Sequence, residues 1–534
     1  HILSFTEIKQ AAERIEDGII HTPLCEAKMS KCMDYEIYLK CENLQYTGSC
    51  AERGIRNLFV SRHAEVTTCG VIVPSIGNLA IAAAYHGEAL GIQVTVVLPD
   101  RTPPGLAQRC SELNADVVIC GETLEDATNY AKKVHMETGQ LLISPDDPAV
   151  MAGLGTVGME IITQLPEADA VIVPVGSGGL LASVLVACSK LKCSCLVYGA
   201  ECAKVPKMLK ACQAGHPVAV PVVPNLAEGL NTSIVGRNAF ATVKGRLDRV
   251  LEVDEIYIAR ATITVLERER LVADGAGACA LAAIMQGLVP ELRGKRTVCI
   301  IAGGNIDASR LARTIHRGLS AWGRLLRFAV PMGDNRTGLE NLAKVISDEH
   351  AVLKSLVTEQ MWVQSDVGTT WVNAVVETAN EEHSDNFKDR IRIPKGVNIK
   401  LKALLILTLS SIDLSQNDIV CIIAGGNIDA SRLARTIHRG LSAWGRLLRF
   451  AVPMGDNRTG LENLAKVISD EHAVLKSLVT EQMWVQSDVG TTWVNAVVET
   501  ANEEHSDNFK DRIRYLYPSA RFAVIEVNDK KCSR

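Results

Sequence analysis

The stretch that decides the fold is Lys40-Cys41-Glu42-Asn43-Leu44-Gln45-Tyr46-Thr47-Gly48-Ser49-Cys50-Ala51-Glu52-Arg53-Gly54. Lys40 belongs to a strand, and Thr47-Gly48-Ser49 has the composition of a turn. Outward from this stretch, two patterns alternate over residues 5 to 325. Residues 72–74, 94–99, 117–120, 170–175, 195–198 and 297–302 read as short buried strands. Residues 80–91, 124–138 and 180–191 read as helices between them. Strands alternating with helices predict an α/β architecture, a parallel sheet covered on both faces.

Composition narrows the function class. The 534 residues include 61 acidic and 56 basic side chains, a formal net charge of -5. No basic patch points to nucleic acid, and a small molecule is the expected partner. Aromatic residues are only 4%, which suits a core of Ala, Val, Leu and Ile. The 16 cysteines are scattered without a Cys-x-x-Cys pair. Cys193 and Cys195 are one residue apart, with no companion His/Cys cluster for zinc. Buried reduced thiols and a cytoplasmic location are expected. The chain as given begins at His1, with no basic region followed by an apolar run to mark a secretory leader. The most apolar stretch, 403–409, is too short to span a bilayer.

A different pattern begins near Arg327. Residues 327–332 and 371–377 read as strands. Residues 339–350, with Leu339, Leu342, Val345 and Ile346 on one side, and 383–392 read as helices. This is the start of a ferredoxin-like βαββαβ module. Residues 298–392 and 420–514 are identical, letter for letter, around an unrelated insert at 393–419. The repeat is no solenoid unit, because it starts inside a strand at Val298. It is either a tandem pair of modules or a recent duplication or mis-joined gene. Perfect identity, a boundary inside a strand and the unrelated insert favour the second. Only the second copy runs on to a final strand at 521–527, so the module is expected to be complete only there. Of the duplicated strands, 297–305 is expected in the main sheet, because its connection is short, and 420–427 outside it. The insert, at 397–410, is the alternative source of a fourth strand for the first copy.

Several further motifs carry chemistry. Pro74-Ser75-Ile76-Gly77-Asn78-Leu79-Ala80 reads as a helix entry. Val175-Gly176-Ser177-Gly178-Gly179-Leu180 joins a buried strand to a helix. Its backbone amides, unobstructed by side chains, can surround a phosphate at the positive helix end. Close strand-to-helix packing requires glycine equally well, so this motif alone does not decide. Ile301-Ala302-Gly303-Gly304-Asn305-Ile306-Asp307 recurs, from its alanine onward, as 424–429, and Gly153-Leu154-Gly155-Thr156 lies between these stretches.

Taken together, these motifs closely resemble the threonine/serine dehydratase and serine racemase family of pyridoxal-phosphate (PLP) enzymes. The resemblance covers residues 2–392. Its opening motif reads Lys-Cys-Glu-Asn-Leu-Gln, then Thr-Gly-Ser-Phe-Lys and a downstream Arg-Gly. Here Cys50-Ala51 stands in place of Phe-Lys. The resemblance implies a fold-type-II PLP domain of two α/β subdomains, like the tryptophan synthase β chain, at 1–325, with the small subdomain at about 48–150. It implies PLP as cofactor and β-elimination of L-threonine or L-serine to a 2-oxo acid and ammonia. Ala51 occupies the position of the Schiff-base lysine, which in the family also moves the α-proton. An alanine has no amine for either task. Lys40, eleven residues away, is not expected to substitute. Changing Lys to Ala takes more than one base change, which argues against a single sequencing error.

The other motifs map in the same way. Asn78 matches the residue that bonds the cofactor's ring hydroxyl, Ile76 replaces a small residue (a catalytic Ser in racemases) and Leu79 replaces His. Gly176, Ser177, Gly178 and Gly179 match the loop that binds the cofactor's phosphate. Ala302, like Ala424, replaces the serine that bonds the pyridine nitrogen, and Leu154 stands where the family often has Gln. Glu201 matches one metal-ligand position of the racemases. Val205 and Lys207 stand near the other two, so no divalent metal is expected. Phe328-Ala-Val-Pro-Met-Gly333-Asp-Asn-Arg-Thr-Gly338-Leu339 and its copy at 450–461 look like the opening of an ACT domain. The resemblance divides the rest into a truncated ACT-like module (326–392), the insert (393–419), the duplicated end of the catalytic domain (420–449) and a complete ACT-like module (450–528). Apolar groups replacing polar ones at 51, 76, 79, 154 and 302 make a poor host for a charged cofactor. The expectation is therefore a pseudoenzyme that binds PLP without a covalent bond or not at all. The alternatives are a working enzyme with an altered sequence and an amino-acid-sensing partner of active paralogues. Small amino acids are the expected ligands, and a homo-oligomer the expected assembly.

Overall fold

The structure, a computed structural model, describes residues 1–333 apart from Arg101 and Pro103, then 338–359, 369–391, 446–455, 460–481 and 491–522, with isolated positions at 433–444. The chain divides into two compact units, residues 1–102 with 109–405 and residues 103–108 with 406–534. The duplicated strand 420–427, the insert strand 397–410 and residues 523–527 of the final strand lie outside the described residues.

Residues 24–300 of the first unit form two sheets. The larger has six strands: β1 (Leu24–Glu26), β2 (Glu36–Lys40), β7 (Ala170–Pro174), β8 (Leu196–Cys202), β9 (Arg249–Val253) and β10 (Arg296–Ile300), in the order β1-β2-β10-β7-β8-β9. All neighbours are parallel except β1, which runs antiparallel to β2. The smaller sheet is wholly parallel. It contains β3 (Val71–Pro74), β4 (Val94–Leu98), β5 (Asp116–Ile119) and β6 (Leu141–Leu142), in the order β5-β4-β3-β6. Central strands covered on both faces need apolar residues at consecutive positions, and β7, Ala-Val-Ile-Val-Pro, is buried at all five. The first copy of the 297–305 segment supplies β10, between β2 and β7.

Glycine sets how closely the helices approach. Helix Pro148–Gln164 is capped by Asp147, whose carboxylate accepts the Ala149 N–H at 2.7 Å. A Cβ on its Gly153 would lie 2.2 Å from the backbone oxygen of Arg53, in helix Ala51–Ser61. No flexible side chain can yield there. Gly153→Ala is expected to destabilise the unit by about 1–3 kcal/mol, the usual range for overpacking. Calorimetry checks this, and a melting temperature equal to that of the unmodified protein would show that the helices separate at no cost.

The two duplicated modules fold alike. In the first unit β11 (Leu325–Gly333), β12 (Val352–Glu359) and β13 (Thr369–Glu377) form an antiparallel sheet in the order β11-β13-β12. Phe328 packs on Phe387 beneath it, with ring centroids 5.7 Å apart. In the second unit β14 (Leu447–Gly455), β15 (Val474–Glu481) and β16 (Thr491–Glu499) repeat this arrangement. There β17 (Arg521–Phe522) joins the far edge of β14, pairing Phe450 with Phe522. Both antiparallel sheets fit an ACT-like module. Among the described residues only the second copy has four strands. No described helix is long and apolar enough to cross a membrane.

Candidate active site

Three neighbouring strands of the large sheet, β2, β10 and β7, end side by side. Lys40 pairs with Ile300, and Cys299 with Ile172. Their carboxyl ends release the segments 41–51, 301–307 and 175–179 together, at the edge where open α/β sheets bind ligands. The small sheet contributes the end of β3, from which Ser75–Asn78 leads into helix Asn78–Leu90.

The first two segments are stitched by backbone. Cys50 N–H donates to Ala302 O at 2.9 Å, Gly304 N–H donates to Gly48 O at 2.9 Å, and Ser49 bridges to Gly303. Gly48 has φ +78°, and a side chain there would also meet Asn305 Oδ1 at 2.7 Å, so glycine is required on both counts. Ala51 begins helix Ala51–Ser61 from this turn. The Cys50 thiol beside it is pushed well up by burial and stays protonated.

Lys40 is fully committed elsewhere. Its Nζ donates to Thr22 O (2.7 Å), Glu160 Oε2 (2.5 Å) and Gln164 Oε1 (3.1 Å), using all three of its protons. It lies in a buried cluster with Glu42 and Arg53.

Asn78 is held from two sides. Its Oδ1 accepts from Asn305 Nδ2 at 2.8 Å, and its amide lies close to the Asp274 carboxylate. Asn305 also donates to Thr47 O (2.7 Å) and accepts from Arg109 Nη1 (2.7 Å). Burial raises the Asp274 carboxyl above the ordinary carboxylate range, against the hydrogen bond from Gly277 N–H and the nearby Asn78 amide. Sequence reasoning missed the roles of Asp274, Asn305 and Arg109. Asn305 stood inside a quoted motif without a role. Asp274 opens a run of small residues, Asp-Gly-Ala-Gly, the one local signal that the backbone comes close there.

The Gly176–Gly179 loop leaves β7 and starts helix Gly179–Leu191. Gly178 has φ +93°, and no side chain caps the helix, which leaves its first amides without a side-chain acceptor. Ile76, Gly77, Asn78 and Leu79 are half-buried. Leu154 is buried, and its Cδ1 is 3.6 Å from where a Cβ on Gly179 would lie. The structure thus brings Ala51, Asn78 and Ala302 into one locality through their backbone neighbours, and delivers 176–179 from the adjoining strand. The hydroxyl of Ser49, which is buried, has no hydrogen-bond partner among the described residues, which leaves polar capacity for a ligand. These residues fit a phosphate ester held by backbone amides. Ala51 carries no amine at the start of its helix, and Ala302 no hydroxyl. Among the described residues no group of three or more His, Cys, Asp or Glu side chains gathers as a metal would require.

Comparison with known proteins places this geometry. The sequence profile described as "Pyridoxal-phosphate dependent enzyme" matches residues 15–304. The L-threonine ammonia-lyase of Geobacter sulfurreducens is 36% identical over 384 residues, covering 72% of this chain and 95% of that protein. The L-threonine ammonia-lyase of Thermotoga maritima is 31% identical over 402 residues, covering 75% and 100%. Among solved structures, serine racemase from Dictyostelium discoideum is 32% identical with a TM-score of 0.53, covering 57% of this chain and 99% of that one.

Proposed function

The chain belongs to the pyridoxal-phosphate dependent enzyme family, and from that premise we propose that it is a threonine/serine dehydratase scaffold whose turnover is lost or nearly lost. Its relatives support a threonine/serine dehydratase-like function. One observation carries the step to inactivity: the helix that should open on the cofactor's lysine opens on Ala51, while the neighbouring Lys40 has every proton engaged. PLP, when bound in such enzymes, supplies the electron sink for α-proton loss. This chain's own residues offer the phosphate end a backbone cradle at 176–179, without the amine that would fix the cofactor or move the proton. The test is release of 2-oxobutyrate from L-threonine and of pyruvate from L-serine. Rates no higher than those of free PLP support the reading, and sustained turnover overturns it.

The four-stranded sheet of the second copy favours a second reading. A complete ACT-like module can bind an amino acid, so the chain would act as a sensing partner of active paralogues. Saturable heat of binding for a small amino acid, abolished by deleting residues 450–534, is the expected result. No binding by any proteinogenic amino acid ends this reading.

A further inference from the structure

Beneath the Gly176–Gly179 loop lies the buried charge pair of Glu201 and Lys207. Glu201, near the end of β8, is wholly buried, and Lys207, at the start of helix Lys207–Ala214, is 1% exposed. The two carboxylate oxygens of Glu201 accept the N–H groups of Met208 and Leu209, each at 2.9 Å. The Lys207 ammonium is 3.9 Å from Glu201 Oε2 and donates to the carbonyl of Val175 at 3.1 Å. Val175 immediately precedes the glycine loop, and its own N–H is held by Ala200 O at 2.8 Å. The same helix supports the loop sterically, since a Cβ on Gly178 would meet Met208 Cε at 2.9 Å.

One positive charge therefore sits between a buried carboxylate and a main-chain carbonyl drawn from two adjacent strands. A carboxylate and a main-chain carbonyl are the kinds of hard oxygen that Mg²⁺, Ca²⁺ or a monovalent ion takes. Cys202 and Cys279 contribute electrostatically to the Lys207 ammonium, but burial raises both thiols, so neither is a thiolate competing for it. A metal ion and the ammonium cannot occupy the same space.

We infer that Lys207 is a built-in cation, which holds Val175 and the glycine loop in place as a dissociable metal ion would and makes the loop independent of added metal. The Lys207 charge offsets Glu201, which would otherwise be an uncompensated buried anion. Glu201 in turn fixes the helix start through Met208 and Leu209. The loop is thereby tied to the sheet by a tether that dialysis cannot remove.

The experiment is a thermal melt of the full chain in EDTA, then in millimolar MgCl2, CaCl2 or KCl. The unmodified protein is expected to melt at one temperature in all four solutions. Lys207→Ala leaves Glu201 and Val175 O around an empty space. It should melt lower in EDTA and recover with at least one of the cations. Lys207→Met fills that space with an apolar chain, and should melt lower without recovery. If Lys207→Ala does not fold, the double variant E201Q/K207M, which has no buried charge to neutralise, is expected to fold and to ignore every cation. Three results overturn the inference: unmodified protein that falls in EDTA and is restored by a divalent ion, Lys207→Ala that melts like the unmodified protein, or Lys207→Ala that is destabilised and responds to no cation.

Discussion

Borohydride reduction of the protein after incubation with PLP is expected to leave no cofactor bonded at residue 51. A covalent link to the cofactor's aldehyde requires an amine, and Ala51 has none. The two buried lysines nearest the ends of the large sheet do not replace it. Lys40 gives its three protons to Thr22, Glu160 and Gln164, and Lys207 is bound to Val175 O below the glycine loop. Restoring the amine alone, as Ala51→Lys, should recover little deamination of L-threonine or L-serine. By the family resemblance, Ala302 still offers no hydroxyl to the pyridine nitrogen, and Ile76 still stands where the family has a small residue. A hydrogen bond to a charged group contributes about 1.5–3 kcal/mol, roughly a 10- to 150-fold change in rate where it acts in the transition state. The double variant A51K/A302S should therefore exceed A51K by about that factor. Steady 2-oxo acid release from the unmodified chain, with a reducible adduct on any lysine, would end the pseudoenzyme reading. Strong activity from the single reversion would instead make Ala51 the whole lesion.

The sequence disclosed the parts of this site that lie in one run of residues. The apolar runs of β7 and β10 were legible because both faces of those strands are covered. Helix Leu124–Thr138 was legible to its ends because Thr123 and Asp126 form a capping box before it and Gly139 closes it. The sequence pattern marks β8 only as far as 198, whereas the strand runs to Cys202. Its last residues include Gly199 and Glu201, neither a strand former, and Glu201 is tolerated there only because Lys207 and two amides satisfy it. The edge strand β9 was missed because it buries only Leu251 and Val253. The polar network around Asn78 was not legible at all. Asn305 reaches Asn78 across 227 positions, and no local pattern encodes a contact made by the meeting of two sheets.

Arg53→Met is expected to lower the stability of the first unit by about 3–5 kcal/mol, the cost of stranding a buried carboxylate. The Arg53 fork is wholly buried and bidentate to Glu42, with Nε to Oε2 at 2.7 Å and Nη2 to Oε1 at 2.8 Å. It also donates to both oxygens of Glu160, at 2.6 and 2.9 Å, and to Thr156 at 3.1 Å. Thr22 Oγ1 and the Gln45 amide complete the Glu42 carboxylate. Burial by itself would raise the Glu42 carboxyl. The Arg53 charge and hydrogen bonds outweigh it and hold Glu42 below the ordinary carboxylate range. A carboxyl depressed on folding stabilises at pH above its unfolded value, about 4.3, and that contribution is lost as pH falls through the folded value. The protein should therefore lose stability on acidification below about pH 4, and Glu42→Gln should flatten that acid limb while lowering stability at neutral pH. Removing both charges in E42Q/R53M leaves neither ion unpaired, so the pair should cost less than the sum of the single changes. Calorimetry of the four proteins at pH 7 and at low pH reads all of this. Arg53 stands two residues after Ala51, so the same cluster fixes the turn from which helix Ala51–Ser61 starts. A loss under about 1 kcal/mol in Arg53→Met, the range of a solvent-exposed ion pair, would mean that the turn is held by its backbone bonds to Ala302 and Gly304 alone.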